Sequence, residues 1–256
     1  MIEVVGVPAS GLAELPPTLR DLVIAADVVV GGTRHLAMLP DPARGVPWPL
    51  PLRAGLKGLF SGLGDDVVVL ASGDPLLSGV ATTLMEELGA ERIRVHPALS
   101  SETLARSRML WPAETTDWLS LVGRDPRRVL ALAAPGERLI VLSADQTTPA
   151  EVARILAAEG WGPSKLTVLG NLGTDSESRH ETTAQALSEH PVELPRLNVV
   201  AIEFLSDGTP ISRGPLLPDR AFAHDGQLTK LPLRLLGLAA LAPAPDQVLW
   251  DVGPGS

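Results

Sequence analysis

Short apolar runs rich in β-branched residues alternate along this chain with longer amphipathic ones. IEVVGV (2–7), DVVVG (27–31), DDVVVLAS (65–72), RIRVHP (92–97), RLIVLSA (138–144), KLTVLG (165–170) and LNVVAIEF (197–204) are near-continuously apolar. Strands buried on both faces of a parallel sheet have that pattern. Between them the period becomes helical. Residues 16–26 open on prolines and carry Leu19, Leu22 and Val23 on one face. Residues 77–88 close at Gly89, which suits a C-cap. Residues 148–159 begin with a threonine cap and a proline in the first turn, and 231–241 form a further helix. The alternation predicts an α/β chain with mostly parallel sheets.

The rhythm breaks twice. SRMLWPAETTDWLS (107–120) interrupts it around Trp111 and Trp118, and SDGTPISRGPLLPD (206–219) is loaded with glycine and proline. These breaks predict an α/β lobe over 1–110, a second over 111–205, a linker over 206–220 and a separate segment over 221–256. VLWDVGPGS (248–256) reads as the first strand and glycine turn of a nucleotide-binding sheet, with the following helix missing. A strand over 247–252 without neighbours leaves its backbone groups unpaired, so residues from about 243 onward are expected to be poorly ordered or docked on a neighbour.

Composition narrows the function. A net charge of −9 and a pI near 5.0 argue against nucleic acid, which needs a basic face. Cysteine is absent, which removes disulfides, thiolate metal sites and a cysteine nucleophile together. Met1 leads straight into IEVVGV without a basic, apolar leader, and no apolar stretch reaches the ~20 residues a bilayer requires. A cytoplasmic protein without membrane or nucleic-acid partners is the expectation.

Four motifs stand at predicted strand ends. GVPASG (6–11) has the place of a dinucleotide fingerprint, but Pro8 replaces the middle glycine and no acid follows the second strand. A plain turn serves as well. ASGDPLLSG (71–79) offers Gly73 for close approach of a ligand to main chain, Pro75 to set the entry to a helix, and Asp74 as a cap or ligand acceptor. HPALSSETLA (96–105) pairs Ser100 and Ser101 ahead of a helix, suited to its first turn or to a ligand. GGTRHLAMLP (31–40) joins a glycine pair to Arg34 and His35, the arginine being the better anion candidate. No catalytic triad, metal-ligand cluster or phosphate loop is present, which points to a reactive cofactor, and no catalytic side chain is assigned.

Taken in order, VVGV, DVVVGGTRHL, VVVLASGDPLLSG, HPALSSETLAR, VLSADQTTPAEVARIL, VLGNLG and LNVVAIEF resemble the tetrapyrrole methylase family over about residues 2–204. Within it they are similar to the branch that methylates precorrins at ring carbons 5 and 15 in cobalamin synthesis. The resemblance implies two α/β lobes with S-adenosylmethionine in the cleft between them, followed by a linker and an incomplete Rossmann-like stub. FAHDGQLTK and LWDVGPGS are similar to the start of that branch's second half, credited with carbon-15 methylation and decarboxylation. Carbon-5 activity is therefore expected here and carbon-15 activity is not. Carried over to this chain, the cofactor residues are Gly73, Asp74, Pro75, Leu77, Ser100, Ser101, Ser143, Ala144, Leu169 and Gly170. The precorrin residues are Gly6, Pro8, Gly11, Gly31, Gly32, Arg34, His35, Gly123 and Arg124. Implied partners are a homodimer mate and a separate protein for the second half. Precorrin carboxylates need local cations, for which Arg34, Arg124, Arg127 and Arg128 are available, the last two reading as a solvated face. The chain departs from the family at Pro8, and at Val122 where histidine is common. A cofactor-binding or assembly protein without catalysis is the alternative, and a nicotinamide oxidoreductase a further one.

Overall fold

The computed structural model describes residues 1–64, 66–206, 219, 222, 226–242, 248–250 and 252. Its first sheet contains β1 (Ile2–Val7), β2 (Val29–Gly31), β3 (Gly45–Pro47), β4 (Val67–Ser72) and β5 (Ile93–His96), in the order β3-β2-β4-β1-β5. Every pairing is parallel. Helices α1 (Pro17–Ala25), α2 (Thr33–Leu36), α3 (Leu52–Leu63) and α4 (Val80–Leu88) accompany it. The continuous apolar runs follow from this layering. Val4 and Val69 point to one buried cluster with Leu56, Phe60 and Leu84, while Val5 and Val68 point to another with Leu15 and Val23.

The second sheet contains β6 (Asp117–Ser120), β7 (Arg138–Leu142), β8 (Lys165–Gly170), β9 (Ser178–Thr183) and β10 (Asn198–Glu203), in the order β6-β7-β10-β8-β9. Here the expectation of mostly parallel pairing needs correction. Only β6–β7 is parallel, and β10 runs antiparallel to both β7 and β8, as β9 does to β8. The seven residues between β8 and β9 leave no room for a crossover helix, so the chain turns back on itself. One face packs under α6 (Thr148–Ala158) and α7 (Ala184–Glu189), around Leu139, Val141, Leu166 and Ile202. The other face, with Ile140, Leu169 and Ala201, receives Ala105 of α5 (Ser101–Met109). Thus α5, which follows the last strand of the first sheet, is packed on the second.

The seven apolar runs all contain strands, and β3, β6 and β9 were not foreseen. The helix expected from 77 begins at Val80, with Gly79 as its N-cap. The cap of α6 is Thr147 rather than Thr148, whose Oγ1 instead accepts from the Ala144 and Asp145 amides. Near the end, α8 (Leu231–Leu241) forms where expected. Within 247–252 the described residues, 248–250 and 252, are in no strand. The rest of that expected strand, most of the linker, and most of the tail from 243 lie outside the described residues.

Candidate functional site

Topology brings the loops of both sheets to one cleft. In the first sheet all strands end on the same edge, where the following loops gather. In the second, register aligns Ser120 with Leu142, Leu142 with Val199, and Gly170 with Asn198. The ends of β6, β7 and β8 therefore share an edge with the start of β10. A cavity of about 390 Å³ lies between the two edges, within the size range of small-molecule sites.

The first-lobe wall is laced together by main chain. The Gly73 amide donates to the Val7 carbonyl at 3.0 Å, and the Ala98 amide donates to the Gly73 carbonyl at 3.0 Å. Gly73 adopts φ +52, and a Cβ there would lie 2.8 Å from the Leu99 carbonyl oxygen and 3.1 Å from Ser100 Cα. A Cβ on Gly6 would stand 1.9 Å from the Gly73 carbonyl oxygen. The Gly-Asp-Pro turn and the paired serines therefore touch, and only glycine permits it. Asp74 does not cap α4; its Oδ1 accepts from the Leu76 amide at 2.9 Å. Ser100 is the N-cap of α5, its Oγ accepting from the Thr103 amide at 3.0 Å.

At the ends of β2 and β4 three side chains close a triangle. Arg34 Nη2 donates to Ser72 Oγ at 2.9 Å and meets His35 Nε2 at 3.1 Å, and Ser72 Oγ lies 3.2 Å from the same nitrogen. Burial first, and the neighbouring guanidinium second, lower the His35 pKa from 6.5 to about 4. Arg34 keeps a solvent-exposed side, and burial of the remainder lowers its pKa.

The second-lobe wall carries unmet hydrogen-bonding capacity. Ser120 Oγ, Ser143 Oγ and Asn198 Oδ1 are buried without partners, and among the described residues no other buried side-chain oxygen or nitrogen is left so. All three residues line the cavity. Asn198 Nδ2 donates to the carbonyls of Asp145 at 3.1 Å and Pro195 at 2.8 Å, which fixes the amide and leaves Oδ1 as a bare acceptor. An orphaned polar atom in a buried wall has hydrogen-bonding capacity for a bound group or a water.

Among the foreseen cofactor residues, Gly73, Asp74, Leu77, Ser100, Ser101, Ser143 and Leu169 line the cavity, whereas Pro75, Ala144 and Gly170 stand just outside its lining. Among the foreseen substrate residues, Gly32, Arg34 and His35 line it; Gly6, Pro8, Gly11, Gly31, Gly123 and Arg124 do not. Gly6 instead supports Gly73 from behind, and Arg124 Nη1 donates to the Ser120 carbonyl at 3.2 Å. Arg127 and Arg128 are exposed, as a solvated face requires. Ser72, Ser120 and Asn198 escaped notice, although an asparagine inside the apolar run LNVVAIEF was a signal. Among the described residues no cluster of metal-ligating side chains occurs, and no helix is long and apolar enough to cross a membrane.

A family model described as Tetrapyrrole (Corrin/Porphyrin) Methylases matches residues 1–188. The chain is a tetrapyrrole methylase. It is accordingly a methyltransferase of a family whose methyl donor is S-adenosylmethionine. A second model, described as a precorrin methyltransferase domain, matches residues 220–256. This methylase is 44% identical over 259 residues to the precorrin-6Y C(5,15)-methyltransferase (decarboxylating) of Mycobacterium tuberculosis; the match covers 100% of the chain and 64% of that relative's length. It is 29% identical over 192 residues to the cobalt-precorrin-7 C(5)-methyltransferase of Salmonella typhimurium, covering 73% of the chain and 93% of that protein. In fold it resembles the uroporphyrin-III C-methyltransferase from Thermus thermophilus solved with S-adenosylhomocysteine, with a TM-score of 0.59 at 20% identity, over 79% of the chain and 91% of that structure.

Proposed function

We propose that this tetrapyrrole methylase transfers a methyl group from S-adenosylmethionine to carbon 5 of a precorrin in cobalamin biosynthesis. The observation that carries the reading is the cleft itself, with a glycine turn on one wall and three orphaned polar atoms on the other. The residues present fit the cofactor. Adenosine brings an amine donor, ring-nitrogen acceptors and ribose hydroxyls, which complement the bare Asn198 acceptor and the Ser120 and Ser143 hydroxyls. On the facing wall the turn at Gly73 is fixed by its own main-chain hydrogen bonds, and Asp74 keeps one oxygen for an ammonium or hydroxyl.

When bound, the cofactor supplies an electrophilic methyl group on a sulfonium centre. The chain's residues orient and exclude water: Leu77, Leu104, Leu142 and Leu169 make the cleft apolar between its polar walls. Arg34 is its cation, placed for a carboxylate of the macrocycle. Carbon 5 is favoured over carbon 15 because the Salmonella relative, named for carbon 5 alone, is matched over 93% of its length. Among the described residues nothing from the 220–256 match enters the cleft.

Calorimetry with S-adenosylhomocysteine and NADPH, followed by a labelled-methyl assay with the corrinoid precursor, tests this reading. Binding of the first ligand and transfer to carbon 5 are expected. NADPH binding without S-adenosylhomocysteine binding defeats it, and cofactor binding without transfer leaves a binding protein.

A further inference from the structure

Several arginines in this chain meet carboxylates: Arg53 pairs with Glu86 and Glu87, Arg94 with Glu3, Arg108 with Glu177 and Arg179 with Glu181. Arg34 is held differently. Its side-chain contacts are the Ser72 hydroxyl and the His35 ring, and among the described residues no carboxylate pairs with it. A guanidinium has no acceptor, so its contact with Nε2 requires that nitrogen to be unprotonated and the ring proton to sit on Nδ1. Ser72 then accepts from Arg34, and its own hydrogen shares the single Nε2 lone pair with the Arg34 N–H in a bifurcated contact. Burial and the adjacent cation both favour this neutral ring.

We propose that His35 is a positioning residue: together with Ser72 it fixes the Arg34 guanidinium at the cleft wall through neutral acceptors, leaving its charge for a ligand carboxylate. A carboxylate in place of His35 would fix the arginine equally well but neutralise it. The other charged side chain of the cavity lining, Asp74, accepts from the Leu76 amide and forms no ion pair with Arg34. The inference rests on the function proposed above and changes the part played by His35 from ligand contact to support. The carboxylate has two sources, the amino-acid end of the cofactor and the acid side chains of the macrocycle.

S-adenosylhomocysteine and uroporphyrin III serve as probes, titrated into wild type, R34A, H35L, H35Q and R34A/H35L. R34A and H35L are expected to weaken the same probe by about tenfold, H35Q to stay within about threefold because its amide oxygen still accepts, and the double variant to be no weaker than R34A. The affected probe identifies the source. Equal weakening by H35L with and without Arg34, or unchanged affinity for both probes in R34A, overturns the proposal. Nitrogen-15 NMR of wild-type His35 decides independently of any variant's folding: a neutral Nδ1–H ring near pH 7 is expected, and a charged or Nε2–H ring overturns it. Failure of wild type to bind S-adenosylhomocysteine defeats the functional reading instead.

Discussion

Gly73 and Ser100 press main chain to main chain, with 3.1 Å between the Ser100 Cα and the place a Cβ on Gly73 would occupy. This contact joins the turn after β4 to the cap of α5, and Gly73 makes it at φ +52. An alanine at 73 pays in left-handed strain and in overlap with the Leu99 carbonyl, on the order of 2–3 kcal/mol in all. G73A should lower the thermal midpoint and weaken S-adenosylhomocysteine together. A variant with wild-type stability and affinity would show that the two segments are not held against each other.

The serine pair separates support from contact. Both line the cavity, but Ser100 is buried with its hydroxyl engaged in capping α5, whereas Ser101 is exposed and its hydroxyl is not the cap. S100A should cost about 1 kcal/mol through the lost cap, or roughly 2–4 °C in midpoint for a chain of this size. S101A should keep the midpoint and weaken the cofactor analogue. Scanning calorimetry and titration of both variants check the division, and the reverse assignment of effects would refute it.

The orphaned hydroxyl of Ser120 predicts effects of opposite sign. In the free protein a buried group without a partner is unfavourable, so S120A should hold or raise stability by up to about 1 kcal/mol. With ligand present the same change removes a partner, and affinity should fall roughly five- to tenfold. N198A differs, because Asn198 Nδ2 also binds the Asp145 and Pro195 carbonyls; it should lose stability and affinity alike. Chemical unfolding of the free proteins beside ligand titration reads both quantities. An S120A that destabilises the free protein and leaves affinity intact would mean that the hydroxyl serves the fold.

How far the sequence discloses this arrangement depends on what each element buries. The strands β1, β4, β7, β8 and β10 are covered on both faces, so their residues read as unbroken apolar runs. The SRHETT of β9 is an edge strand with no buried side chain, and nothing apolar marks it. The glycine turn was legible because steric demands at Gly73 and Gly79 leave few other residues possible. Ser120 and Asn198 were not, because antiparallel pairing of β10 beside β7 brings them to one edge, and register is a tertiary property. The placement of α5 on the second sheet is hidden for the same reason.

His35 ties the stability of the fold to pH with a definite sign. Its ordinary pKa of 6.5 falls to about 4 in the folded chain. Above pH 6.5 the ring is neutral in both states, and its contribution is fully present. As pH falls from 6.5 to 4 the unfolded chain takes up a proton that the folded chain refuses, so stability drops; below about 4 both are protonated and the drop ends. For this buried ring the loss is on the order of 3 kcal/mol. H35Q has no proton to gain there, so the wild-type-minus-variant difference in unfolding free energy should shrink toward acid pH across that window. Urea titrations at several values between pH 7 and 4 measure it, and a difference that stays flat would show that His35 titrates normally and does not hold Arg34 as a neutral ring.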